Sequence, residues 1–327
     1  MILSIGVPTY NRGAMLEDCL NNIASQITIE FQNKVSIIVT DNSSTDNTSE
    51  VVDRIKEKYH GVEVTYHKHE SNMGYDKNVD SLFSLSEAEY IMPLSDDDGL
   101  EDNAIKEIVG HIEDNRDVSV FYISNNFYDY DLLEKVAVLD PFFEKVGSNK
   151  YFNNGHELFR LSNEIFGGIS GICVKRSSWQ SIDASQYFNT DWVHLGVVLS
   201  IIKDSAVFVI FDPLIKYRLD NKEKRWAEFV SFGIQRILLE FKGLFPDAVR
   251  EIYAEHRHQT RLSLLALDRK VTLNQRIDIL RRMKGSYDTY KLSFWFIEVP
   301  LLFTPNYITK NLYSIYKRLK TTGTAPL

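Results

Sequence analysis

The sequence predicts an α/β fold, a mostly parallel sheet flanked by helices, followed by a helical C-terminal region. Three observations predict it. Short β-rich runs alternate with helical patterns through the first half, which is the signature of βαβ units. Polar clusters follow directly on the apolar runs, as they do at the ligand-binding edge of an open parallel sheet. Beyond Trp226, apolar residues recur at helical spacing through Ile234, Leu238, Phe241, Leu264 and Leu267.

In chain order, Ile2 to Pro8 reads as the first strand and Ala14 to Gln26 as a helix. Val35 to Thr40 is a buried strand, closed by the cap-rich turn Asp41-Asn42-Ser43-Ser44-Thr45-Asp46, and a helix runs from Asn47 to Tyr59. Val62 to Lys68 is a third strand, Tyr75 to Leu85 a helix, and Tyr90 to Leu94 a fourth strand that runs straight into Asp96-Asp97-Asp98. A helix over Asp102 to Glu113 and a strand over Val118 to Ser124 continue the alternation. Tyr128 to Asn163 is irregular, as expected of an insertion over one face of the sheet. Ile169 to Lys175 then reads as a strand, Trp192 to Ile202 as a helix, and Ala206 to Tyr217 as an extended pair broken at Pro213.

The chain has 327 residues, a formal net charge of −8 and 44% hydrophobic residues, which excludes disordered and collagen-like classes. The negative balance speaks against nucleic acid as a partner. The total hides an asymmetry. Residues 1–225 carry 21 basic and 36 acidic side chains, whereas residues 226–327 carry 16 basic and 9 acidic. The expected division is a catalytic domain over 1–225 and a basic helical region over 226–327. Cys19 and Cys173 sit in apolar patterns and read as reduced core thiols, which fits a cytoplasmic location. The start, Ile2-Leu3-Ser4-Ile5-Gly6-Val7, lacks the features of a signal peptide, and no stretch is long and apolar enough to span a bilayer.

Four polar clusters follow the first four strands: Pro8-Thr9-Tyr10-Asn11-Arg12, Asp41-Asn42-Ser43, Asn72-Met73-Gly74-Tyr75-Asp76-Lys77-Asn78 and Asp96-Asp97-Asp98. Convergence at one edge would make a single polar cleft. Adjacent carboxylates at the end of a buried strand repel unless a cation lies among them, and hard oxygen ligands suit Mg²⁺ or Mn²⁺ on a diphosphate. Alone, the triplet reads equally well as an exposed acidic turn capping the helix near Asp102. Asp41 alone reads as an N-cap or Asx turn; in a nucleotide site it is an acceptor for the imide hydrogen of a uracil or thymine ring. Asn72, before the third helix, is a candidate for the nucleotide side or an ordinary turn residue. Lys77, at that helix's start, joins a cation to backbone N–H groups that favour an anion.

These motifs, in this order and spacing, resemble family 2 glycosyltransferases of the GT-A fold, which include enzymes of bacterial O-antigen, capsule and teichoic-acid decoration. The resemblance rests on Ser4 to Arg12, Ile38 to Asp46, Asn72-Met73-Gly74 and Leu94-Ser95-Asp96-Asp97-Asp98. It implies that Pro8, Tyr10, Arg12 and Asp41 line a nucleotide pocket and that the acidic motif holds Mn²⁺ or Mg²⁺ on the diphosphate. The family motif is Asp-x-Asp-Asp. Aligned on Asp97 and Asp98 as metal ligands, it puts Ser95 at the first Asp and leaves Asp96 on the nucleotide side; the other register pairs Asp96 with Asp98. For an inverting enzyme the resemblance also implies a general base at a helix start, matched by Asp191 in Asn189-Thr190-Asp191-Trp192. A helix cap is the alternative role. His194, one turn on, is the second candidate, set against an ordinary structural histidine.

Gly167-Gly168-Ile169-Ser170-Gly171 reads as a flexible turn or as backbone that approaches sugar or acceptor. Tyr151, Phe152, Phe159 and Phe166 read as core, with acceptor stacking as the alternative. The apolar run Leu292 to Phe303 precedes Lys310, Lys317, Arg318 and Lys320, with no acidic residue after Glu298. It suits an anionic membrane surface or, equally, a helix packed on the catalytic domain.

The expectation is therefore an inverting glycosyltransferase that takes a nucleotide-sugar donor, UDP-sugars first, and a saccharide or lipid-linked oligosaccharide acceptor in bacterial surface-polysaccharide synthesis. It would act in the cytoplasm, with peripheral attachment to the membrane's inner face. A sugar nucleotidyltransferase would need a glycine-rich loop after the first strand, which Pro8 to Arg12 lacks. A non-catalytic nucleotide-sugar or glycan-binding module is the remaining alternative, suggested by Ser95.

Overall fold

The computed structural model describes residues 1–136, 140–162, 164, 166–219, 233–234, 236–238, 240–241, 276–277, 280, 296, 299–304 and 308. Chain contacts divide the protein into two compact units, Met1–Asn221 and Lys222–Leu327.

The first unit opens with β1 (Leu3–Thr9), α1 (Gly13–Gln26), β2 (Val35–Asp41), α2 (Thr48–Lys58), β3 (Val64–Lys68), α3 (Tyr75–Leu85) and β4 (Tyr90–Pro93). It continues through β5 (Gly99–Leu100), α4 (Ala104–Asp114), β6 (Val120–Tyr128), β7 (Lys135–Val136), α5 (Pro141–Val146), β8 (Lys150–Phe152) and α6 (Gly155–Ser162). It closes with β9 (Ile172–Lys175), α7 (Arg176–Gln180), α8 (Val193–Ile202) and β10 (Val207–Arg218).

Every residue of β1 and β2 is buried, as near-continuous apolar runs must be when helices cover both faces of a parallel sheet. The helices follow the same logic. In α4 the buried Ile105, Ile108, Val109 and Ile112 fall on one face, whereas α8 is buried nearly all round.

The sheet order is β3-β2-β1-β4-β9-β6-β10-β5, with β7 on β6 and β8 on β10. β1 pairs in parallel with β2 and β4, and β2 with β3. The chain thus steps outward from β1 to β3 and then returns to β1's other side. That reversal makes a topological switch point between β1 and β4, where the crevice of an open α/β sheet lies. β9 runs antiparallel between β4 and β6.

Three expectations change. Ala206 to Tyr217 is one strand rather than a broken pair: the register of β10 against β6 shifts between Ile210 and Ile215, and Pro213 lies in that irregularity, where its missing N–H costs no ladder bond. Ile169–Gly171 is a 3₁₀ turn, so β9 begins at Ile172. The irregular Tyr128 to Asn163 contains four short elements, built around aromatic packing. Phe143 sits 5.0 Å from both Phe142 and Phe166, and Tyr122 of β6 lies 5.2 Å from Phe142. Phe152, Phe159 and Phe166 are buried in the core, whereas Tyr151 is exposed and donates to Asp117.

In the second unit Ile234, Ile237, Leu238, Phe241 and Leu302 are buried, and Arg276 Nη1 donates to the Leu302 carbonyl. Leu264, Leu267, Lys310, Lys317, Arg318 and Lys320 lie outside the described residues. Among the described residues, no helix is long and apolar enough to cross a membrane. Cys19 and Cys173 are buried free thiols whose pKa burial pushes up.

Candidate active site

The loops after β1 to β4 meet at the carboxyl edge and are tied to one another. Asn11 accepts from Thr45 N at 2.8 Å and donates its own N–H to Ser44 Oγ at 2.8 Å, while Gly13 N donates to Asp46 at 2.9 Å. Asn42 Nδ2 donates to Asn72 Oδ1 at 3.0 Å, and Asn42 Oδ1 accepts from Met73 N at 2.7 Å. Thr9 Oγ1 donates to Asp96 Oδ2 at 2.7 Å. Asn11 and Ser43 take left-handed conformations, with φ of 53° and 68°. These short polar side chains compensate such turns through local hydrogen bonds.

Asp41 is fully buried. One carboxylate oxygen accepts from Ser44 N at 2.7 Å and the other from Tyr66 O–H at 2.6 Å. It therefore anchors the β2 loop and orients Tyr66, whose phenol is pushed above its usual pKa by burial and by this contact. Pro8 is buried in β1, while Tyr10 is 45% exposed at the cleft's rim. Lys77 lies with its ammonium 5.8 Å over the Phe188 ring.

The acidic turn is closed by Asp98 N donating to Ser95 O at 3.1 Å. Arg12 Nη1 bridges Asp96 Oδ1 at 3.1 Å and Asp97 Oδ2 at 3.0 Å. Asp98 is buried, accepting from Ser170 Oγ at 2.5 Å and from Arg218 N at 2.9 Å. The serine in place of the family's first Asp has a use: Ser95 Oγ donates to Asp97 Oδ1 at 2.5 Å, where a carboxylate would repel. Burial, opposed mainly by Arg12, pushes Asp96 up to about 6, and burial with Asp97's repulsion pushes Asp98 up to about 7.

Hard oxygen donors in a turn still short of positive charge fit a divalent cation. Asp97, with its side chain 22% exposed, faces any ligand more openly than the buried Asp98. Among the described residues no three His, Cys, Asp or Glu side chains converge on one point. An ion here would therefore take its remaining ligands from substrate phosphates and water, as Mg²⁺ commonly does.

The second half of the first unit packs a loop on the start of α3. Asn189 and Asp191 have φ of 64° and 61°, conformations that persist in non-glycine residues only where surrounding structure holds them. Asp76, buried in the first turn of α3, accepts from Thr190 N at 2.9 Å, Asp191 N at 3.0 Å and Val193 N at 3.0 Å. Tyr75, next to Asp76, has its ring 6.2 Å from that of His194 on α8, and burial, with the charge of Asp76 next, raises its pKa well above the usual phenol value.

His194 is buried, with Nε2 3.0 Å from the Gly167 carbonyl and Nδ1 without a hydrogen-bond partner. The carbonyl requires a donor, so Nε2 carries the hydrogen. The Gly167-to-Gly171 run is shaped by packing: a Cβ on Gly167 would lie 2.8 Å from the Trp192 ring, and one on Gly171 2.4 Å from Phe166. Burial lowers the His194 pKa to about 4. The unfolded chain therefore binds this proton at a higher pH than the folded one. Its stabilising contribution is complete above about pH 6.5 and falls as pH drops toward about 4, by about 2–3 kcal/mol. Urea melts of the unaltered chain and of His194→Gln at pH 7.5 and 5 are expected to show the stability difference between the two narrowing at pH 5, a comparison in which the opposing contributions of Asp96 and Asp98 cancel; a difference that does not change with pH would contradict the buried neutral imidazole.

Asp76, Ser170 and Arg218 are site residues that the sequence reading did not single out. Asp76 stood inside a quoted cluster, and Arg218 follows the apolar run of β10 as the other polar clusters follow theirs. Ser170 had no signal beyond its place in the glycine-rich run.

An open α/β sheet with its switch point between β1 and β4, and an acidic turn tied to the β1 loop at its carboxyl edge, has a GT-A glycosyltransferase architecture. Residues 4–176 match the family described as Glycosyl transferase family 2, and the chain belongs to it. It is a glycosyltransferase. Abequosyltransferase RfbV of Salmonella typhimurium is 27% identical over 251 residues, covering 74% of this chain and 72% of that protein. Glycosyltransferase GlyG of Streptococcus pneumoniae serotype 4 is 30% identical over 130 residues, covering 40% of each. A crystal structure of S. aureus TarS matches with a TM-score of 0.59 at 15% identity, over 98% of this chain and 92% of that one. Mannosyltransferase PcManGT from Pyrobaculum calidifontis, in complex with GDP-Man and Mn²⁺, matches with a TM-score of 0.54 at 14% identity, over 97% and 87%. At these identities the two structures show a shared fold.

Proposed function

We propose that the chain inverts the anomeric centre of a nucleotide-sugar while transferring the sugar to a saccharide or lipid-linked saccharide in bacterial surface-polysaccharide synthesis. The observation that carries this reading is the acidic turn Asp96-Asp97-Asp98, bridged by Arg12 at the carboxyl edge of the sheet. Asp191 takes the proton of the acceptor hydroxyl as its oxygen attacks the anomeric carbon. The bond to the diphosphate breaks, and the leaving oxygen keeps the electron pair. Arg12 lies beside Asp96 and Asp97, where a guanidinium can also meet phosphate oxygens. Asp97 and Asp98 would hold Mn²⁺ or Mg²⁺, which supplies charge neutralisation of the diphosphate when bound. His194, buried against Gly167, shapes the acceptor loop instead of carrying the proton.

UDP-sugars are the first donors to test. Each Asp41 oxygen keeps a lone pair beyond its internal bond, and TarS has been crystallised with UDP-GlcNAc. PcManGT with GDP-Man makes the guanosine series the natural comparison. Thermal-shift measurements with UDP-, GDP- and CDP-sugars, with and without Mn²⁺, are expected to single out one series, since a ligand at 100 times its Kd stabilises by about 2.7 kcal/mol. No shift with any of them would sink the donor assignment.

The excess of basic residues after position 225 and the exposed Phe296 support contact of that region with an anionic leaflet. Co-sedimentation of the full chain with phosphatidylserine vesicles, lost at high salt, is the expected result; equal sedimentation with neutral vesicles would oppose it.

A further inference from the structure

We propose that Asp76 is a positioning residue for the transfer reaction, a buried carboxylate whose bonds to the backbone of residues 190–193 hold Asp191 in its working place. The proposal rests on the reading of Asp191 as the base. All three of its hydrogen bonds described here go to one segment more than a hundred positions away, two through Oδ2 and one through Oδ1. A carboxylate buried to 3% exposure is costly unless such donors meet it.

What those donors hold is the informative part. Asn189 and Asp191 flank the first of them in left-handed conformations that an L-residue adopts at a cost of roughly 1–2 kcal/mol each. The segment lacks glycine at both positions. It also leads into α8, whose cap residue Trp192 makes no side-chain capping bond. Asp76 does that work from another helix: its Oδ1 accepts from Val193 N, one of the N–H groups left open at a helix start. The same carboxylate therefore caps α8 and shapes the turn immediately before it.

Thr190 strengthens the turn from within. Its Oγ1 accepts from Trp192 N at 3.0 Å and donates to the Tyr187 carbonyl at 2.7 Å. Asp76 also neighbours Tyr75, whose ring lies 6.2 Å from that of His194 on α8. The first turn of α3 thus meets the start of α8 through both side chains. A displacement of about 1 Å at a reacting group is enough to lower turnover by about a hundredfold.

Asp76→Asn keeps the shape but replaces one of the two accepting oxygens with an N–H₂. In the full chain, kcat is expected to fall about 10- to 100-fold while the donor KM stays within about twofold. The decisive comparison is the double variant. If Asp76 acts through Asp191, adding Asp76→Asn to Asp191→Asn costs less than about threefold further, since residues that work as a unit are not additive. A full additional loss in the double variant would overturn the proposal, as would near-normal kcat in a folded Asp76→Asn protein. An Asp191→Asn protein with normal turnover would instead remove the reading beneath it. Should Asp76→Asn fail to fold, amide exchange on the unaltered chain decides: Thr190, Asp191 and Val193 amides are expected to exchange at least tenfold more slowly than solvent-open loop amides, and equal rates would refute the restraint.

Discussion

Asp191→Asn is expected to slow transfer by about 10²- to 10⁴-fold, the contribution of a positioned general base. The amide matches the carboxylate in shape and cannot take a proton. The substitution leaves intact the backbone N–H groups that Thr190, Asp191 and Val193 offer to Asp76, so the loop should keep its course. The nucleotide side is built on the loops of β1 to β4, far along the chain, and donor affinity by calorimetry should hold within about twofold. Turnover within about threefold of the unaltered enzyme would assign the proton to another group.

Asp97→Ala is expected to lower kcat by about 10²- to 10³-fold, the scale on which losing one preorganised electrostatic group acts. The Mn²⁺-dependent part of nucleotide stabilisation should vanish with it. Folding should barely notice: Asp97 is partly exposed, and its pair with Arg12 is the kind that contributes about 1 kcal/mol or less. Asp98→Ala makes the contrast. It strands the Ser170 hydroxyl and the Arg218 N–H without their buried acceptor, at a cost of about 1–3 kcal/mol for each unsatisfied group. A Mn²⁺ response that survives Asp97→Ala unchanged would move the ion's site elsewhere.

The elements of the first half were legible because each is encoded locally. Val35 to Thr40 reads as a buried strand and β2 runs one residue further, to Asp41, and α3 spans Tyr75–Leu85 as its periodicity predicts. The polar edge was legible for the same reason: the residues after a strand are next to it in sequence. Partnership was not. Nothing in Ile172 to Lys175 says that it runs antiparallel between β4 and β6, and Pro213 looked like a break because periodicity cannot show that the opposing strand tolerates a shift there. Asp76, Ser170 and Arg218 have roles that exist only in contacts between positions 72 to 120 apart. Asp41 shows the converse limit. Its place after β2 was legible, whereas its engagement by Ser44 and Tyr66 depended on the loop's course and a neighbouring strand.

The hydrogen bonds that join Asn11 to Thr45, Asn42 to Asn72 and Gly13 to Asp46 are complete in the protein by itself. The conformational entropy of this edge is therefore lost when the chain folds, and little is left to lose when a nucleotide arrives. Donor association should accordingly be a single kinetic phase whose rate scales with concentration without saturating, because no slow isomerisation of these loops stands before it. For this half of the cleft, encounter sets the pace of capture.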